Sequence, residues 1–465
     1  MKYLPTLAAV CLLIGPSVAL AQQISPNPNP AGNLLTVDTS SAFNNVEFGN
    51  KGIVHITPDG KLTNEDGATL TNDSRGGNTG TGIANEGTLI NTGTLTNTGV
   101  LSNHNTLTNN KGGVLTNKHG ADLYTGTLTN YGTLTNDSGG KVFTEYGALF
   151  NNHGTLANDG KWYNYDGTLT NNAGGTLANN GVLENDRMLN NSGAMTNTGT
   201  LTNNNAVPGL GRLAGTLKNT GTLTNKNMLV NYNTLTNAGT LTNSGTLTNG
   251  GGVFGASATL TNESGGRLAN VGTLTNTKDG TLVNDGALYN EYTLTNNGTI
   301  DTSKGTFVNL GTLNGSGHIK GSYTDHGHTK PGNSAGLMTI DGDYFKVAGS
   351  KEIELGGLFD YDRIDVTGNV ELAGRLDVHL IDGFKLHRGN WFDFMTVGGT
   401  LSGQYEGLGQ GALVGNFGGQ DLFIGYSYSG EFTGVMLYTN AVPEPTTVLI
   451  WSMLAGLGMT VRRRR

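Results

Sequence analysis

Between residues 61 and 314 the chain returns repeatedly to one short unit, Gly-Thr-Leu-Thr-Asn-x, and no other feature restricts the available folds as much. The unit is plain in Gly93-Thr94-Leu95-Thr96-Asn97-Thr98-Gly99 and in Gly239-Thr240-Leu241-Thr242-Asn243-Ser244-Gly245. Its apolar residue recurs at Leu89, Leu95, Leu101 and Leu107, and again at Leu217, Leu223, Leu229, Leu235, Leu241 and Leu247. The step is six residues there and seven or eight elsewhere, with Leu123, Val142 and Val253 filling apparent gaps. Side chains alternate along a strand, so Leu and the Asn two residues later share the inner face while the Thr between them points outward. The Gly after each Asn is expected to supply the positive φ of a corner.

Strands this short have almost no ladder as a flat antiparallel meander. Coiling removes the difficulty: three units form one turn of ~20 residues that stacks on the last at ~4.8 Å. Leucines then form a dry column, and asparagine amides hydrogen-bond from turn to turn, as in other stacked β architectures. The expected fold is all-β, an elongated parallel β-helix, or β-solenoid. Variation between six, seven and eight residues disfavours a strict left-handed hexapeptide helix, so right-handed winding is preferred. Residues 22–60 read as an N-terminal lead-in, 61–314 as the solenoid and 315–440 as a β-rich capping region. The stretch from Asn205 to Leu217, with Pro208, reads as a loop that interrupts one turn.

Composition agrees with a thin core. Only 35% of the 465 residues are hydrophobic and 75 are glycine, too little apolar material for several compact domains. A net charge of −8 with abundant Leu, Val and Thr argues against disorder, and sparse Lys and Arg exclude a nucleic-acid footprint. At the N-terminus, Lys2, the apolar run 7–14, and Ala19 and Ala21 at −3 and −1 before Gln22 form a signal-peptide pattern over residues 1–21. The single cysteine, Cys11, lies within it, so the exported chain would hold no disulfide or thiolate metal site.

Residues 442–465 carry a second address: Val442-Pro443-Glu444-Pro445, an apolar stretch over 446–461, then Arg462, Arg463, Arg464 and Arg465. Sixteen apolar and small residues are marginal for a span that usually takes ~20, but a terminal arginine cluster would hold its end on the cytoplasmic side. This three-part order resembles the PEP-CTERM sorting signal of Gram-negative bacteria. The resemblance implies a C-terminal membrane helix inserted transiently, and signal peptidase and exosortase as processing partners. It also implies delivery to the cell surface, outer membrane or extracellular matrix. A further resemblance covers 315–440. The turn Pro331-Gly332-Asn333-Ser334-Ala335-Gly336, with Tyr361-Asp362-Arg363-Ile364-Asp365-Val366-Thr367-Gly368 and Leu372-Ala373-Gly374-Arg375-Leu376-Asp377-Val378, is similar to the end of autotransporter adhesin passenger domains. That family carries a translocating membrane barrel where this chain carries the sorting tail. Residues 375–380 and 435–438 alternate as strands do, and Trp391, Phe392 and Phe394 are expected to seal the end of the core.

Three groups of residues invite chemistry. Asp360, Asp362 and Asp365 offer oxygens to Ca²⁺, but their order lacks the spacing of a calcium loop and includes Arg363. His326 and His328 lack a third zinc ligand, and Asp341 and Asp343 flank a glycine in a turn rather than a sugar bond. Each group is better explained as turn or surface chemistry, so no catalytic residue, metal site or cofactor is expected. The sequence therefore points to an exported structural or adhesive protein of the surface or matrix, associated with exopolysaccharide or other surface proteins. The alternatives are a display scaffold or glycoprotein, and a β-helix polysaccharide lyase or hydrolase.

Overall fold

The computed structural model describes residues 22–38, 41–74, 82–204, 213–250, 257–332, 334–428 and 433–439. These residues form an all-β parallel β-solenoid of about 16 turns. Each repeat supplies one strand, usually of four residues, and each strand pairs in parallel with the third one after it, which yields three sheets. Thr94–Asn97 lies against Val114–Asn117 in this way, with Leu95 beside Leu115 and Asn97 beside Asn117. The inner face is as the alternation requires: Leu95, Leu115 and Leu241 have 0% exposure, and so do Asn97, Asn117 and Asn243. Thr96 and Thr242, between them, are half-buried on the outside. Leu123 and Val142 fill the same interior positions. Val253, Asn205 and Pro208 lie outside the described residues, whereas Leu217 sits in a regular strand, Thr216–Asn219, with its side chain buried.

The chain divides into two compact units, one ending at Phe143 and including Ala148–Phe150, the other made of Thr144–Gly147 and the residues from Asn151 onward. In the first unit the stacking already runs through residues 22–60, where Leu34–Val37 pairs with Ile53–Ile56. In the second it passes residue 315 without a break: Thr312–Gly315 pairs with His328–Pro331, and parallel pairing continues to Leu401–Gly403. The last strands then reverse. Gly434–Tyr438 runs antiparallel to both Trp391–Val397 and Gln420–Ser427, and Leu413–Phe417 adds a fourth strand. Residues 375–380 form a strand as expected. Phe392 and Phe394 close the core with 0% exposure, but Trp391 faces outward and stacks on Tyr438 at 5.7 Å between ring centres.

The asparagines form directional ladders. In the second unit Asn158 Nδ2 donates to Asn179 Oδ1 at 2.7 Å, Asn179 to Asn197 at 2.7 Å, and Asn197 to Asn225 at 2.8 Å, always toward the C-terminus. The other amide hydrogen goes to a backbone carbonyl, as from Asn179 to Thr200 O at 2.9 Å. Each side chain therefore holds a bond on either side, which makes a buried amide tolerable among leucines. A ladder with one direction needs an acceptor at its far end. Thr302 Oγ1 accepts from Asn284, and Asp325 Oδ1 accepts from Asn309. At the start of a ladder the acceptor is left over: Asn85 stands above Ile56, and its Oδ1 meets no donor among the described residues.

The corner glycines depart from expectation. Gly221, in the two-residue corner of a six-residue repeat, does not have positive φ. It is required because a Cβ there would collide with Gly193 O of the turn below. Within the repeats of 61–314, positive φ belongs to the longer corners. In Asn172-Ala173-Gly174-Gly175, the Gly175 N–H donates to Asn172 O at 2.9 Å, and Gly174 takes φ 84° with nothing near its missing Cβ. Close packing of one turn on the next selects the glycine of a six-residue repeat, and backbone reversal selects the extra one of an eight-residue repeat.

Candidate functional site

The Pro331 turn closes over a carboxylate. Asp362 is 1% exposed and accepts two backbone bonds at 2.9 Å, one from Gly336 N to Oδ1 and one from Glu354 N to Oδ2. It thereby ties the turn to the strand Ser350–Leu355. Burial pushes its pKa up to about 7, with Glu354 and Glu352 adding to the rise against the two N–H donors. Outward residues of two stacked strands, His328–Pro331 and Ser350–Leu355, complete a cavity of about 280 Å³. Lys330, Glu352, Glu354 and Asp362 line it together with Asn314, Pro331, Gly332 and Ser334.

Within this group Glu352 Oε2 receives Lys330 Nζ at 2.6 Å and His328 Nε2 at 3.1 Å, while His328 Nδ1 bonds Ser350 Oγ. Burial alone would raise the Glu352 pKa, but the bonds from Lys330 and His328 outweigh it and hold the carboxyl below its ordinary value. His328 is lowered, mainly by burial. The open acceptors are Asn314 and Glu354. Asn314 Oδ1 is buried without a donor, and Glu354 has no ion-pair partner among the described residues. The arrangement is suited to accepting hydrogen bonds from a ligand rich in hydroxyl or amine donors.

The residues singled out in the sequence do not converge. Asp360 is exposed, Asp362 is spent on backbone donors, and Asp365 accepts from Thr396 Oγ1 at 2.5 Å on the outer face. His326 is exposed while His328 joins the Glu352 group. Asp341 pairs with His318 at 2.7 Å, and Asp343 accepts from Asn369 N at 2.7 Å, so this pair anchors neighbouring turns. Among the described residues no three His, Cys, Asp or Glu side chains gather closely enough for a metal ion. Gln22 begins a short strand against Ala42–Phe43. Ala19, Ala21, Val442, Pro443, Glu444, Pro445 and Arg462, Arg463, Arg464 and Arg465 lie outside the described residues, as does the expected membrane helix. No helix among the described residues is long and apolar enough to cross a membrane, a statement that does not bear on β-barrels.

A polar cluster inside the core had no signal in the repeat pattern. Asp325 and Lys346 are fully buried and paired at 2.9 Å, and Tyr344 and Thr329 also donate to Asp325 Oδ2 at 2.9 and 2.7 Å. Burial pushes the Asp325 pKa up, but Lys346 and Lys351 outweigh it, and the carboxyl stays below its ordinary value. Lys351 is buried beside them with no hydrogen-bond partner, its ammonium 4.4 Å from the Tyr344 ring centre. Burial lowers its pKa to about 7. The register could have found the cluster, since Asp325 follows Asn309 in an asparagine column.

No protein-family model matches the chain, and no curated protein is recognisably related to it.

Proposed function

We propose that this chain is an exported structural or adhesive component of the cell surface or extracellular matrix. Under this reading it bears the PEP-CTERM sorting signal and the autotransporter-like end that its sequence resembles. Signal peptidase would release it at Ala21–Gln22. The helix over 446–461 would hold it in the inner membrane until exosortase acts near Val442-Pro443-Glu444-Pro445. The winding is taken as right-handed, in keeping with repeats of unequal length. The chain performs no chemistry of its own on this account.

One observation carries the proposal. The interior asparagines bond chiefly to one another and to backbone, while outward threonines are left uncommitted: Thr246 and Thr248, or Thr273 and Thr275, make no side-chain hydrogen bond among the described residues. Many weak, identical contacts along a repeating surface add through multivalency, which suits retention in a polymer matrix better than capture of one small molecule. Peptide mapping of the mature protein from fractionated producing cells tests this. The expected chain begins at Gln22, ends near Pro443 and sits in the surface or matrix fraction. Persistence of Arg465 in the membrane fraction would contradict the sorting step, and sugar mass added to Thr would favour a glycosylated display scaffold instead.

A further inference from the structure

The cavity beside Pro331 is continuous with the outer face of one sheet in the second unit. Strands Thr246–Asn249, Thr273–Asn276 and Thr293–Asn296 stack in register, with Thr246 beside Thr273 and Thr293, and Thr248 beside Thr275 and Thr295. The next strand continues both columns, placing Thr295 beside Asn314, and the one after places Asn314 beside Lys330. Three rungs of paired threonines thus lead, turn by turn, to the residues that line the cavity.

None of the six threonine hydroxyls makes a hydrogen bond among the described residues, and all six side chains reach the surface. The rungs carry no charge in a chain whose net charge is −8. Each rung offers two hydroxyls and two methyls, the mixed surface that a sugar ring also presents. The rungs recur every ~4.8 Å, the spacing of parallel strands, which is close to the length that one pyranose adds to an extended glycan. At the end of the track, the buried Asn314 Oδ1 and the Glu354 carboxylate are acceptors without donors, as a terminal ring rich in hydroxyls would require.

We infer that the outer face from Thr246 to Asn314 is a binding track for a linear, uncharged glycan, laid along the stack with its terminal sugar in the cavity lined by Asn314 and Glu354. This inference rests on the proposed matrix role and gives it a location. The track disfavours a polyuronate as its preferred ligand, because such a chain would bring repeated negative charge against uncharged rungs and Glu354, while Lys330, the cation that lines the cavity, is already paired with Glu352.

The test is titration of the full mature protein with four neutral hexasaccharides, cellohexaose, maltohexaose, mannohexaose and chitohexaose, and with hexagalacturonate. At least one neutral hexamer should bind. Thr275→Glu on the track and Asn314→Ala in the cavity should each weaken it tenfold or more, while Thr224→Glu, at the equivalent position of an identical Thr-Leu-Thr-Asn repeat on another sheet, should leave it unchanged. Melting curves establish that each variant folds. Equal loss from Thr224→Glu, or binding of hexagalacturonate alone, would overturn the inference. So would failure of every neutral hexamer to bind while the protein still fractionates with the matrix, an outcome that leaves the matrix reading standing. Absence from the surface and matrix fractions would remove that reading and, with it, the basis of the track.

Discussion

At the scale of single residues, the asparagine of each repeat does more for the fold than its polarity suggests. Asn225 accepts from Asn197 and donates to Asn243 Oδ1 at 2.7 Å and to Thr246 O at 2.9 Å. Asn225→Ala strands those partners inside the core and is expected to cost about 1–3 kcal/mol. Asn225→Asp should cost more, since a carboxylate would face two acceptors, whereas Thr224→Ala on the outer face should fall within about 0.5 kcal/mol of the parent. Urea unfolding of the three variants gives the order directly. Glycines separate in the same way. Gly221→Ala forces a Cβ against Gly193 O and is expected to destabilise by roughly 1–3 kcal/mol through overpacking. Gly174→Ala meets no atom and carries only the strain of a positive φ, about 1–2 kcal/mol. The inward Leu and Asn were legible in the sequence because alternation fixes them. The reason for the corner glycine Gly221 was not, because it lies in the neighbouring turn, at Gly193.

At the scale of elements, the strands Tyr323–Asp325, Tyr344–Lys346 and Ser350–Leu355 trade amide ladders for buried charge. Lys351 has a folded pKa of about 7 against an ordinary 10.5, so between these values the unfolded chain holds a proton that the folded one lacks. Stability therefore rises with pH across that window. Asp362 has the opposite slope: its folded pKa of about 7 exceeds the ordinary 3.8, the folded chain holds the extra proton, and stability falls as pH rises toward 7. Their sum places a minimum of stability for the second unit near pH 7. Unfolding midpoints measured from pH 5 to pH 10 should trace that minimum, and Lys351→Met should reduce the rise above pH 7, leaving the part due to Lys346, whose pKa burial also lowers. A flat profile above pH 7 in the parent would show that Lys351 is charged and matched in the fold. The Pro331 turn was visible in the sequence as a motif. Its tie to Asp362 became apparent only in three dimensions, because Asp362 read as one of three carboxylates rather than as an acceptor for Gly336 and Glu354.

At the scale of the whole molecule, each turn contacts chiefly its neighbours, so the stability of each unit is close to a sum of local terms. The solenoid class followed from the repeat, but the cavity did not, since it depends on which outward side chains three successive turns bring together. A fold of this kind serves enzymes and non-enzymes alike, and the decision rests on what the outer face does. The most direct measurement is co-sedimentation of the purified protein with extracellular polysaccharide from the producing cells, at low and high salt, with the polymer's chain length followed over time. Retention that salt barely changes and a polymer of constant length are expected. Shortening of the polymer would make the chain an enzyme, and failure to co-sediment would contradict the proposed adhesive role in the matrix.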